Sequence, residues 1–194
     1  MKRTKEEANE TIQQLLAIGR AHFTRLGFAD TSLEEIAREA KLTRGALYHH
    51  FGSKKKLFVA VLQQIQQEIA ADIENEASQS EDPWAQLLLG CRAFIASAVQ
   101  SNNKRPLLID GPAVLGWEEW RTLDQLHSMK LLQEQLASMQ HFFPSLSIEA
   151  LTHSLSGALN EAALWTAHQS DIPKAQAEAM AVVDHFLRGL QMRK

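Results

Sequence analysis

The sequence predicts an all-α fold: an N-terminal head of three helices over residues 1–53, a connecting helix over 54–77, and a larger helical body over 78–194. Three observations predict it. Apolar residues recur at helical spacing almost throughout, with no convincing period-two strand. Gly27, Gly52, Pro106, Pro112, Pro144 and Pro173 punctuate the apolar stripes. Charge divides with the layout. The first 60 residues carry eleven Lys and Arg against seven Asp and Glu, or +4, while the whole 194-residue chain has a net charge of -3, leaving -7 for the remainder. A basic head on an acidic body points to a polyanion partner at one end.

The first helix is expected from Lys5 to Leu26, with Ile12, Leu15, Leu16, Gly19, Phe23 and Leu26 on one stripe. Gly27 is placed to cap it, and Phe28 to fold back on its last turn. A short second helix starts at Ser32, which forms with Glu35 the pattern of a capping box. Its core side is Leu33, Ile36, Ala37 and Ala40. Lys41-Leu42 makes the turn, and Thr43 caps a third helix through His49. Gly52-Ser53 breaks the chain before a long fourth helix, with Leu57, Phe58, Val61, Leu62, Ile65 and Ile69 in one stripe. Further helices are expected at Pro83–Gln100, Lys104–Asp110, Trp117–Phe142, Ile148–Gln169 and Pro173–Met192, punctuated by Pro106, Pro112, Pro144 and Pro173.

Two short helices joined by a tight turn form a helix-turn-helix unit. Leu47 must point inward, which leaves Arg44, Gly45, Tyr48 and His49 on the outer face of the third helix. Such a helix can enter the major groove N-terminus first. Arg44 then reaches guanine O6 and N7, Thr43 a phosphate or a thymine methyl, and Tyr48 and His49 the sugar-phosphate wall. Gly45 lets the backbone approach. Lys54, Lys55 and Lys56 occupy a first helical turn, where the macrodipole already disfavours cations, so an anion there would relieve them. Thr31 and Ser32 offer a second phosphate clamp before the second helix.

Phe28 to Ala40 (FADTSLEEIAREA), Leu42 to Lys54 (LTRGALYHHFGSK) and Leu57-Phe58 together resemble the N-terminal signature of the TetR family of regulators. The resemblance covers about residues 8 to 62 of the sequence. It implies an all-helical dimer whose Arg44, Gly45, Tyr48 and His49 meet double-stranded DNA, with Thr43 and Lys54 on phosphates. One departure is Lys41, at a turn position usually held by glycine; a left-handed conformation there costs a lysine about 1 kcal/mol.

In the body, the last two helices carry Leu151, Leu155, Leu159, Ala162 and Trp165, then Val183, Phe186, Leu187 and Leu190. Ser154, Gly157, Ala158 and Ala163 widen the apolar surface beyond one stripe, as in a helix buried on two sides. The TetR resemblance implies that the second side meets the same helices of another subunit, giving a homodimer on a pseudo-palindromic operator. The alternative is that both sides are intrachain core. Trp84, Phe94, Trp117, Trp120, Asp124, His127, Trp165 and His168 are candidates to line a small-molecule effector cavity, with Trp120, Asp124 and His127 sharing one helix face. Leu108 to Trp120 (LIDGPAVLGWEEW) is similar to a segment of some TetR-type proteins, and identifies no ligand.

The functional expectation is a sequence-specific regulator, repressor in sense, released by an unidentified small molecule that turns the connecting helix. The alternative is a body that recruits a protein partner instead. No cofactor, metal site or enzymatic activity is expected: no phosphate loop, nucleophile elbow or His–carboxylate ligand set appears. A lone Cys91 excludes an internal disulfide and suits a cytoplasmic setting. No apolar run approaches the ~20 residues of a membrane helix, and no secretory segment follows Met1.

Overall fold

The structure is a computed structural model that describes residues 5–191. Its described residues are mostly helical and divide into two compact units, one of residues 5–65 with 101–116 and one of 66–100 with 117–191. The segment 101–116, which the sequence reading grouped with the body, thus belongs by its contacts to the first unit.

In the first unit, α1 (Lys5–Asp30), α2 (Leu33–Glu39), α3 (Arg44–Phe51) and the start of α4 (Lys54–Ala77) enclose one core. Leu15, Phe23, Ile36, Leu47, Leu57 and Phe58 are fully buried in it. Phe58 meets the Phe23 ring edge-on at 4.9 Å and Phe28 at 5.1 Å, so Phe28 does fold back onto the preceding turn. The fold-back depends on Gly27, whose non-helical φ of 82° and ψ of 172° interrupt α1 and kink the chain into its last short stretch.

The α2–α3 turn is a Schellman motif. Leu42 N–H donates to the Ala37 carbonyl at 2.8 Å and Lys41 N–H to the Arg38 carbonyl at 3.1 Å. The motif requires a left-handed residue, and Lys41 supplies it at φ 55°. The expected capping box does not form. The Ser32 hydroxyl bonds the Glu34 carboxylate at 2.9 Å and makes no cap bond. A second carboxylate nearer than Glu35 outcompetes the orphan amide for that hydroxyl. Thr43 does cap α3, accepting from Ala46 N–H at 3.1 Å, and Ser53 accepts from Lys56 N–H at 3.1 Å at the start of α4.

Residues 101–116 pack on α1 as a π-helical turn (Arg105–Asp110) followed by α6 (Gly111–Leu115). The Asp110 carboxylate accepts the Phe28 N–H at 2.9 Å, Arg105 donates to the Arg25 carbonyl at 3.2 Å, and Arg20 donates to Asn103 at 2.5 Å. The Arg105 guanidinium lies directly over Gly27, where a Cβ would collide with it. Gly27→Ala therefore forces a left-handed alanine and displaces Arg105. The expected loss is about 1–3 kcal/mol of stability in a urea melt; an unchanged midpoint would contradict this role for the kink.

The second unit holds the rest of α4, α5 (Pro83–Ala98), α7 (Trp117–Gln125), α8 (Ser128–Ser138), a short 3-10 turn (Gln140–Phe142), α9 (Ile148–Ala167) and α10 (Ile172–Gln191). Asp82 and Ser147 cap α5 and α9 by accepting from Ala85 and Ala150 N–H. Ile95, Leu136, Met139, Phe143, Ala163 and Leu187 form its core, and Trp84 sits edge-on to Phe142 and Phe143 at 5.5 Å. The single helix expected over Trp117–Phe142 is interrupted at His127, with φ -129° and ψ -101°. The interruption seats Ser128 in the core, where its hydroxyl donates to buried Gln66 at 3.2 Å.

Candidate DNA interface and effector cavity

The third helix is eight residues long and packs on α2, and its orientation follows from Leu47, which is wholly buried. With Leu47 inward, Thr43, Arg44, Gly45, Tyr48 and His49 are all exposed. They form one polar face at the start of a helix, with no bulk at Gly45, where a Cβ would meet nothing nearer than Thr43 Oγ1 at 3.9 Å. Arg44 lies across this face. One nitrogen pairs with Glu34 at 2.7 Å, another reaches the Tyr48 hydroxyl at 3.4 Å, and the guanidinium sits 5.2 Å from the Tyr48 ring centre. A backbone hydrogen bond, the Ser32 hydroxyl and Arg44 together hold the Glu34 carboxyl below its ordinary range. Both partners of the ion pair are more than half exposed, and such pairs contribute at most about 1 kcal/mol. Arg44 is pre-extended yet releasable.

Three residues assigned to phosphates are engaged elsewhere. Thr31 is buried and its hydroxyl donates to the Gly27 carbonyl at 2.6 Å, closing the kink. Ser32 is half-buried and bonded to Glu34. The Lys54 ammonium donates to the carbonyls of Phe28 at 2.8 Å and of Ala29 and Thr31 at 3.0 Å, and sits 4.7 Å over the Phe28 ring. An ammonium has three protons; two go to carbonyls in the last turn of α1, where the dipole favours a cation, and the third to Thr31 just past its end. The residue that looked misplaced at the start of one helix is well placed at the end of another. Lys54→Met is expected to lower stability by about 1–3 kcal/mol and leave the salt dependence of DNA binding unaltered. A salt slope reduced by about one would instead put Lys54 on a phosphate.

The second unit contains a cavity of about 410 Å³. Ile73 and Ala77 of α4, Leu87, Cys91 and Phe94 of α5, Met129 and Leu132 of α8, and Leu159 of α9 supply its apolar lining. Its polar lining includes Asp124, Ser128, Gln135 and Ser156. Of the residues expected there, the structure brings Phe94 and Asp124 to the cavity. Trp120 is buried but does not line it, and Trp117 is 66% exposed, its ring 5.6 Å from that of Trp120. His127 lies beyond the end of α7, so the shared face with Trp120 and Asp124 does not exist. Trp165 is exposed on α9, and His168, just past its end, is exposed and bonded to the Leu164 carbonyl at 2.7 Å. Ser128, Met129, Gln135 and Ser156 escaped the sequence reading because the α7–α8 break that aims the α8 residues has no Gly or Pro to announce it.

Asp124 is the polar centre of this region. Burial pushes its carboxyl up from the ordinary range, opposed by Arg121, by the Asn160 and Ser156 hydrogen bonds and by His127. Burial conversely holds His127 down, with Asp124 pulling the other way. Burial also pushes the Cys91 thiol up to about 12, so it has no thiolate character at neutral pH. Among the described residues, no group of three or more His, Cys, Asp and Glu could hold a metal, and no helix is long and apolar enough to cross a membrane.

The dimer expectation divides along α9 and α10. Leu155, Leu159, Val183 and Leu187 are buried within the chain itself, because they face the body core. Leu151, Ala162 and Leu190 are half-buried. The outward apolar groups are Trp165, Val182 and Phe186, exposed by 41%, 52% and 56%, with open space above Gly157 and Gly189.

Residues 15–61 match the family described as "Bacterial regulatory proteins, tetR family", and residues 84–190 match "Tetracyclin repressor-like, C-terminal domain". The crystal structure of a TetR-family transcriptional regulator from Pectobacterium atrosepticum is 34% identical, with a TM-score of 0.81 over 98% of this chain and 99% of that one. The HTH-type transcriptional regulator AcrR of Shigella flexneri is 34% identical over 55% of this chain and 50% of its own length. A probable acrEF/envCD operon repressor of Escherichia coli (strain K12) is 41% identical over 44% of this chain and 40% of its own. The chain thus spans half or less of the length of these two curated relatives. A basic head with an outward-facing third helix, both halves of the family's two-part architecture, and a full-length structural relative lead to one assignment: the chain belongs to the TetR family of transcription regulators.

Proposed function

We propose that the protein is a dimeric repressor that binds a pseudo-palindromic operator through α3 and is released by a small molecule held in the 410 Å³ cavity. The observation that carries this reading is the α3 face: Thr43, Arg44, Gly45, Tyr48 and His49 all exposed around a fully buried Leu47. Arg44 reads a guanine edge, Thr43 contacts the backbone or a thymine methyl, Gly45 permits close approach, and Tyr48 and His49 meet the groove wall. Lys54 acts as a positioning residue by holding the end of α1. Repression as the sense of regulation is supported by the E. coli relative's description.

The dimer forms through Trp165, Val182 and Phe186 with the small residues around them, as a bundle of α9 and α10 from two subunits. Two large apolar side chains on one helix face of a free chain favour this surface as the one that is covered. The small-molecule reading is favoured over protein recruitment by the cavity, whose size suits a drug-sized ligand. The ligand acts only through differential affinity for two states of the body. Those states reach the head along the chain itself: α4 runs from one unit into the other, and the chain re-enters the first unit at 101–116. Selection of bound duplexes from a random pool is the test. Enrichment of two inverted half-sites about 10 base pairs apart is expected; an unrepeated site or no enrichment would refute operator binding by a two-fold dimer.

A further inference from the structure

The cavity's charged lining is of one sign. Glu74, Asp124 and Glu134 contribute, and no Lys, Arg or His does. Glu74 and Glu134 are exposed, whereas Asp124 is 2% exposed and cavity-lining. The bonds made to Asp124 fall on a single oxygen. Arg121 reaches Oδ2 at 2.9 Å, and Ser156 and Asn160 reach the same atom at 3.3 Å. Arg121 also donates to Ser156 at 3.0 Å, fixing the carboxylate's orientation. No bond to Oδ1 from a described residue accompanies them. Oδ1 thus keeps its capacity to accept from a donor in the cavity, and a cationic donor makes the stronger bond. Arg121 answers the charge of Asp124 and Lys130 pairs with Glu134 at 3.7 Å, both from outside the lining, so the lining itself presents carboxylates and no cation.

We propose that Asp124 Oδ1 is the recognition atom of the cavity, and that the cavity selects an apolar, ring-bearing amine cation over a neutral or anionic molecule of the same shape. This rests on the reading of the cavity as the effector site. Phe94, Leu87, Met129 and Leu159 hold the ring, and the ammonium donates to Oδ1. Ser156 and Arg121 position the carboxylate. A carboxylate ligand would meet acids with no donor of positive charge among the lining residues, so the same apolar body with that head is rejected. Cys91 takes no covalent part, because its thiol stays protonated.

The test uses the full-length protein and a matched series: naphthylmethylamine, naphthylmethanol and naphthoate, titrated by calorimetry at neutral pH. The amine is expected to bind at least about tenfold more tightly than the alcohol, the scale of one charge-assisted hydrogen bond, and the acid more weakly than either. Equal affinity of amine and alcohol, tighter binding of the acid, or no binding of the amine would each overturn the proposal. Asp124→Asn should erase the preference for the amine while leaving the alcohol bound. Because that variant leaves Arg121 without its counter-charge, Asp124→Asn with Arg121→Gln is measured beside it, and a preference that survives in either folded variant also overturns the assignment of Asp124. Operator release is followed in parallel by anisotropy. Release by a molecule outside the amine class would defeat this proposal but keep the effector site, whereas tight amine binding without release would keep the recognition chemistry and defeat the effector reading.

Discussion

Arg44→Ala is expected to weaken operator binding by roughly tenfold to a hundredfold per half-site and to relax the preference at one base pair in each. Arg44 is the single long cation on the exposed face of α3, and its side chain is already extended along that face by Glu34 and Tyr48. Loss of a groove contact falls on the specific site, and loss of a phosphate contact falls on all duplexes alike. Competition between the selected duplex and random DNA separates the two. An equal loss on both would show that Arg44 contacts only the backbone. The free-state partner sharpens the test: Glu34→Gln removes a competitor for Arg44 and should leave base preference intact while strengthening binding slightly.

Phe186→Glu is expected to abolish the dimer at micromolar concentration, weakening self-association by more than about a hundredfold. With it goes nearly all operator affinity, since a single head holds one half-site. Phe186 is 56% exposed in the free chain, so the glutamate has water around it in the monomer and the fold should survive. Leu187, one residue on, is 1% exposed, and Leu187→Glu should unfold the protein. Sedimentation and circular dichroism on the pair distinguish interface from core. A dimeric Phe186→Glu protein would place the subunit contact elsewhere.

Much of this molecule was legible in its residues, and the limits have physical causes. The head was readable because its signals are local: Thr43 and Ser53 cap the helices they precede, Gly27 takes the positive φ, and Leu47 turns the polar face outward. Even the departure at Lys41 resolves as a left-handed lysine closing a Schellman turn. Competition for one group defeated local rules. Ser32 prefers the Glu34 carboxylate to its amide, and Lys54 prefers three carbonyls at and just past the end of α1 that are distant in sequence. The helical wheel could not foresee the break at His127, so His127 was placed on the α7 face that Trp120 and Asp124 share without it. On α9 and α10, apolar character alone could not tell the inward Leu155, Leu159, Val183 and Leu187 from the outward Trp165, Val182 and Phe186.

The most direct measurement of the central claim is a crystal structure of the protein on the duplex recovered by selection. The expected result is α3 in the major groove, with the Arg44 guanidinium free of Glu34 and on a guanine edge, and Tyr48 and His49 against the flanking backbone. A complex in which this face of α3 remains in solvent, or is covered by protein, would contradict it.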